Sequence, residues 1–200
     1  SFILASFTKD FIFKENSLSV VVADISDNAL DLLARVKGYI KAFEHVNNVK
    51  IPLKYNSKYE LQNGANGARY IIGTAENTEF GRSKTITNLH FSEAAFYKHF
   101  EKLLAGAGTA LVPNGKFVIE TTANGFNSFK SFYNESELGE TDFTAHFYPS
   151  QDFYDAEFLE REKKRLGRLF DQEHPSTSLL AFITSGENYF DNEAMRWYLE

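Results

Sequence analysis

Residues 18–23, Leu-Ser-Val-Val-Val-Ala, form a continuous apolar, β-branched run closed by Asp24. Such a run reads as a strand buried on both faces, which is the habit of a parallel sheet covered by helices. Ser26 or Asp27 can cap the next helix by accepting from its free N–H groups. Ala29, Leu32, Leu33, Val36, Ile40 and Phe43 then fall on one stripe, predicting an amphipathic helix to about Val46. Strand, cap and helix make half of a βαβ unit.

The remaining pattern extends that unit. Ile3, Leu4, Phe7, Phe11 and Ile12 recur at helical spacing before the strand. Residues 57–61 and 68–74 are strand candidates on either side of Asn63-Gly64-Ala65-Asn66-Gly67, a hairpin-like connection. Residues 85–91 read as a strand and 93–104 as a helix stopped by Gly106-Ala107-Gly108. A strand over 115–122, a helix over 126–134 and an acidic loop over 135–142 follow. Residues 143–148 alternate weakly as a strand, and 155–170 form a charged helix. The tail from Asp171 holds a short apolar stretch and a last helix capped by Asp191. The order predicts a three-layer α/β fold, a mostly parallel sheet flanked by helices. Ligands of such sheets bind beyond the carboxyl ends of the strands, so the residues just after each strand carry the functional information.

Composition narrows the function classes. The chain of 200 residues, 43% hydrophobic and 24% charged, suffices for one sizeable core. No apolar run approaches the ~20 residues of a membrane span. The lack of Cys excludes a disulfide scaffold and a thiolate metal site. A net charge of -6 argues against a standing basic grip on nucleic acid, though a motor touching DNA with a few loops remains allowed. The 20 Phe and 10 Tyr fall mostly on apolar stripes and are expected in the core. The five histidines, His45, His90, His99, His146 and His174, show no paired ligand spacing and read as structural or surface residues. Lys163-Lys164-Arg165 with Arg168 reads as a solvated stripe with Glu160 and Glu162 nearby, a DNA-backbone contact being the alternative.

Three segments could carry chemistry. In Asn88-Leu89-His90-Phe91-Ser92-Glu93, an apolar strand ends on a Ser-Glu pair. P-loop ATPases place a metal-orienting acid and a water-polarising glutamate at such a point. Glu93 holds the second position and Ser92 the first, where a hydroxyl brings no charge to Mg²⁺. The alternative is that Glu93 caps the following helix. In Glu120-Thr121-Thr122-Ala123-Asn124-Gly125, hydroxyls and an amide at a strand end can sense a γ-phosphate, or they make an ordinary strand-to-helix turn. In Gly81-Arg82-Ser83-Lys84-Thr85, a guanidinium on a loop suits the neutralisation of phosphoryl charge, or it is a solvated surface residue.

Taken together and in order, GRSKTITNLHFSEAAF followed by VIETTANGFNSFKSFY resembles the ATPase domain of the large terminase subunit of tailed bacteriophages, the DNA-packaging motor. The segments LSVVVADISDNALDLL and FDQEHPSTSLLAFITSGENYFD extend the resemblance over nearly the whole chain. It implies that Glu93 is the Walker B catalytic glutamate and Ser92 an ATP- and Mg²⁺-associated residue. It further implies that Thr121, Thr122, Asn124 and Gly125 form the coupling motif and Arg82 an arginine finger, in cis or on a neighbouring subunit. Residues 1–150 would be the ATPase core, and 151–200 its end and a linker toward a nuclease domain.

No Gly-x-x-x-x-Gly-Lys-Ser/Thr occurs in the sequence, so the resemblance implies a P-loop NTPase-like core lacking its first strand and P-loop. An internal fragment is therefore expected, inactive alone. The intact protein would use ATP and Mg²⁺ to move double-stranded DNA into a procapsid, with an endonuclease elsewhere. Its partners would be DNA, the portal protein, the small terminase subunit and further copies in a ring, in the bacterial host cytoplasm and with no membrane. Two alternatives stand beside it: another P-loop motor such as a helicase, and an inert DNA- or partner-binding remnant.

Overall fold

The computed structural model describes residues 1–80, 83–184 and Trp197. The chain divides into two compact units, Ser1–Thr121 and Thr122–Glu200.

The first unit begins with α1 (Phe2–Phe13), β1 (Leu18–Ala23) and α2 (Ser26–Asn47). The hairpin strands β2 (Leu53–Asn56), β3 (Glu60–Asn63) and β4 (Arg69–Thr74) follow, then β5 (Ile86–Ser92), α3 (Phe100–Gly108) and β6 (Leu111–Glu120). The strands form one open sheet in the order β2-β3-β4-β1-β5-β6. β1 lies parallel to β4 and β5, and β5 parallel to β6; the β2-β3 and β3-β4 pairs are antiparallel. This is the expected mostly parallel sheet flanked by helices. Every residue of β1 is buried, as its β-branched run requires at the centre of a covered sheet.

Alternation along the strands assigns the two faces. Leu4, Phe7 and Phe11 of α1 and Ala29, Leu33, Val36 and Ile40 of α2 share one core with Val21, Tyr70 and Ile72. On the opposite face Phe91 meets Phe117 edge-on at 5.0 Å and Tyr97 at 5.6 Å, beside the buried Phe100, Leu103 and Ala107 of α3. Of the aromatic residues expected in the core, Phe7, Phe11, Tyr70, Phe91, Tyr97 and Phe100 are buried in these layers, while Phe2, Phe13, Tyr55, Tyr59 and Phe96 of the same unit are exposed.

Asn63 and Asn66 explain how the antiparallel half is fastened. Their amide Nδ2 groups donate to the Phe11 carbonyl at 3.1 and 3.2 Å, and Asn66 also reaches the Ile12 carbonyl at 3.0 Å. These are carbonyls that the end of α1 leaves without helical partners. Gly67 closes the turn at φ 72, where a Cβ would meet the Asn16 Oδ1 at 2.6 Å.

Several boundaries differ from expectation, each for a local reason. A further strand, β2 (Leu53–Asn56), precedes the strand expected over 57–61. The turn is at Ser57, whose Oγ accepts from the Tyr59 and Glu60 N–H groups. The helix expected over 93–104 is split. A 3₁₀ turn spans Ala94–Phe96 and α3 starts only at Phe100, because the Tyr97 hydroxyl lies 2.7 Å from the Val22 carbonyl and 3.0 Å from that of Ser92. β6 starts before residue 115, its register shifting past Asn114 at φ 63. Pro113 is tolerated there because β6 is an edge strand.

The second unit contains α4 (Ser128–Glu137), α5 (Ala156–Leu166), α6 (Phe170–Glu173) and α7 (Ser178–Thr184). Phe129, Tyr133 and Phe182 pack at ring distances of 5.6–6.4 Å, and the Lys130 ammonium lies 4.4 Å from the Phe182 ring centre. Asp155 caps α5 by accepting from the Phe158 N–H, and Gly167 ends it short of residue 170. Residues 143–148 have no ladder partner among the described residues and form no strand, and His146 stacks on Tyr148 instead. The helix expected to be capped by Asp191 lies outside the described residues. Of the basic stripe, Arg165 pairs with the buried Glu162, one of its two expected acidic neighbours. No helix among the described residues is long and apolar enough to cross a membrane.

Candidate active site at the ends of β5 and β6

Parallel pairing brings the last residues of β5 and β6 level, with Ser92 opposite Glu120. The next residue on each strand is Glu93 and Thr121. Two carboxylates and two hydroxyls therefore converge at the carboxyl end of the sheet, where a parallel sheet binds its ligands.

Glu93 adopts φ 59 and ψ 44, a left-handed conformation that costs a non-glycine residue roughly 1 kcal/mol. It precedes the 3₁₀ turn but makes no side-chain capping hydrogen bond. Glu93 thus stands at the N-cap position of that turn without using its carboxylate to cap it. Instead its Oε2 accepts from the Thr121 hydroxyl at 3.3 Å, and the Thr121 oxygen accepts from the Ala95 N–H at 3.2 Å. The backbone after the glutamate thus fixes the threonine, and the threonine holds the glutamate.

Ser92 and Glu120 form the second pair. Ser92 faces Glu120 across the parallel pair, and His90 Nε2 lies 3.1 Å from Glu120 Oε1. Burial raises the Glu120 pKa, but the His90 and Ser92 hydrogen bonds outweigh it and hold the carboxyl below its ordinary value. His90 is fully buried, edge-on to Phe7 at 6.3 Å, and its Nδ1 has no hydrogen-bond partner. A buried N–H without an acceptor is rarer than a lone pair without a donor, so the proton belongs on Nε2, donating to Glu120. Tyr97 closes the underside; burial first, then the Glu120 charge, push its phenol up and keep it a donor.

The sequence-derived candidates thus separate. Glu93 and Thr121 come together directly, and Ser92 stands beside them, engaged with Glu120. Thr122, Asn124 and Gly125 open the second unit. Thr122 is exposed there, while the Asn124 carbonyl accepts from Asn127, which caps α4. Gly125 sits at φ 62, supplying the tight turn expected of it. Arg82 lies outside the described residues.

Sequence reasoning gave no role to Glu120, Tyr97 or the buried contact of His90. The available signal was register: Glu120 precedes Thr121 as Ser92 precedes Glu93.

The donor set at the two strand ends is all oxygen, which suits a hard cation such as Mg²⁺. Among the described residues no group of three or more His, Cys, Asp or Glu could enclose a metal alone.

No protein-family model matches the sequence, and no curated protein matches it. Solved structures do share the fold. The large terminase of a thermophilic bacteriophage, in complex with ADP, aligns with a TM-score of 0.62 and 17% identity, covering 84% of this chain and 42% of that one. The large terminase ATPase domain of Thermus phage P74-26 gives 0.57 and 16%, over 84% of this chain and 79% of that one. The HK97 bacteriophage large terminase gives 0.59 and 12%, over 97% and 40%. The chain has the fold of a phage large terminase ATPase domain, and spans about two-fifths of the ADP-bound terminase and of the HK97 terminase.

Proposed function

We propose that this chain is the ATPase core of a phage large terminase, coupling ATP hydrolysis to translocation of double-stranded DNA into a procapsid. The observation that carries the reading is the Glu93 carboxylate, strained in backbone and held by Thr121 at the end of two parallel strands.

In this reading Glu93 accepts a hydrogen bond from the attacking water and polarises it. The Thr121 hydroxyl fixes the carboxylate orientation, so water meets a set geometry rather than a mobile side chain. Mg²⁺, when bound, would neutralise charge on the phosphates. The hydrolytic state reaches the rest of the chain through the continuous backbone of Thr121, Thr122, Asn124 and Gly125, the coupling segment. Arg82 would stabilise the transferring phosphoryl group, in cis or from a neighbouring subunit of a ring.

Among the described residues β6 is the edge strand of the sheet, and that edge supports the reading topologically. A further parallel strand paired there would place its carboxyl-end loop next to Thr121. That loop is where a phosphate cradle is needed, and residues 1–200 contain no such motif. DNA, portal protein and small terminase subunit are the proposed partners, and the host cytoplasm the proposed location. Nuclease activity would come from a domain outside these residues.

The test uses a full-length protein carrying this chain behind a phosphate-binding loop. Glu93→Gln should bind ATP with near wild-type affinity and lose turnover by about 100-fold or more. Turnover within a few-fold of wild type would overturn the assignment.

A further inference from the structure

Position 92 presents a hydroxyl where a nucleotide-hydrolysing site of this architecture needs a charged, metal-orienting group. The charge missing there is found on the neighbouring strand. Ser92 and Glu120 are register partners, and the buried His90 Nε2 lies 3.1 Å from the same glutamate carboxylate. One position further on, the same two functional groups recur with the strands exchanged: Glu93 on β5 and Thr121 on β6. Each strand thus brings one acid and one hydroxyl, and the acids sit on a diagonal.

The placement of α1 fixes the direction in which the Ser92–Glu120 pair faces. Asp10 pairs with Lys116 at 2.9 Å, and Phe7 meets His90. Asn88 and Lys116 are register partners, as are His90 and Val118. Moving two residues along a strand advances about 6.6 Å, and moving back four residues along a helix advances about 6 Å. Ser92 and Glu120 are therefore level with the first turn of α1, near Ile3, on the face that α1 covers.

We propose that Glu120 is the metal-orienting carboxylate of this site, taking from β6 the role that Ser92 cannot perform from β5. Ser92 is the register partner that stands beside Glu120, and His90 anchors the carboxylate from the buried side. Glu93 is left to the water. The inference rests on the ATPase reading above.

The experiment measures Mn²⁺, as a paramagnetic stand-in for Mg²⁺, binding to the full-length protein with ATPγS by electron paramagnetic resonance. Glu120→Gln should raise the half-saturating Mn²⁺ concentration by about ten-fold or more, in the range that loss of a metal-orienting group costs. Nucleotide binding in EDTA should stay within a few-fold of wild type. Ser92→Asp added to Glu120→Gln should recover most of the lost Mn²⁺ affinity, because it returns a carboxylate to the other strand. If Glu120→Gln fails to fold, judged by its thermal melt, Glu120→Asp replaces it and should weaken Mn²⁺ several-fold. Unchanged Mn²⁺ dependence in a folded Glu120 variant would overturn the proposal and leave the ATPase reading standing. A wild-type protein that binds no nucleotide would overturn both.

Discussion

The two polar ends of the first unit use similar residues for different purposes. At the β3–β4 turn, Asn63 and Asn66 spend their amides on the terminal carbonyls of α1, and their Oδ1 atoms accept from Ala65 and Ala68. Every one of those bonds closes a need created by the fold. At the β5–β6 end, Glu93 takes a left-handed backbone at the N-cap of a 3₁₀ turn without a side-chain capping bond, and its carboxylate is oriented by the threonine that follows β6. A polar cluster that satisfies backbone is architecture, whereas one that orients side chains against each other at a strain cost points to chemistry.

Substitutions can break or sharpen this contrast. The largest effect is expected from Glu93→Gln, which should lower turnover by about 100-fold while leaving the melting temperature nearly unchanged. Asn63→Ala should do the reverse. It removes two hydrogen bonds at a buried site, and about 2 kcal/mol of unfolding free energy should be lost in urea titration, with turnover per folded molecule preserved. Thr121→Val keeps the shape and deletes the hydroxyl, so about a ten-fold drop in turnover is expected with nucleotide affinity retained. Gly67→Ala forces a Cβ onto the left-handed turn at φ 72 and should cost about 1 kcal/mol of stability alone. The contrast fails if the Asn63 or Gly67 variant impairs chemistry beyond its loss of folded protein.

A smaller effect concerns pH. The Glu120 pKa is lowered on folding from its ordinary 4.5. A depressed carboxyl adds stability above its unfolded pKa and loses that contribution as pH falls through the folded value. The stability gap between wild type and Glu120→Gln should therefore be constant near neutrality and narrow below about pH 4.5 in urea titrations. A gap that widens with acidity would contradict the sign.

Much of the sheet was legible because its signals are local. The run at 18–23 could only be a central strand, and the stripe from Ala29 to Phe43 only a covering helix. The Asn-rich turn was legible for the same reason. What escaped depended on contacts distant in sequence. Tyr97 breaks the helix expected over 93–104 by reaching the carbonyls of Val22 and Ser92, which no local periodicity records. At the site, Glu93 and Thr121 could be named from their strand ends, but their bond spans 28 residues. Glu120 was passed over because its importance lies in the register between β5 and β6. The strand expected over 143–148 illustrates the converse, since weak alternation makes no strand without a partner.

The central claim is that Glu93 and Thr121 act as one device, and a double-mutant cycle on single-turnover ATP hydrolysis tests it most directly. Hydrolysis rates would be compared for wild type, Glu93→Gln, Thr121→Val and the double variant, in the full-length protein at saturating ATP and Mg²⁺. If the threonine works through the glutamate, Thr121→Val slows wild type by about ten-fold yet changes the Glu93→Gln rate by less than about two-fold. An undiminished Thr121→Val effect in the Glu93→Gln background would show two independent residues and contradict the account.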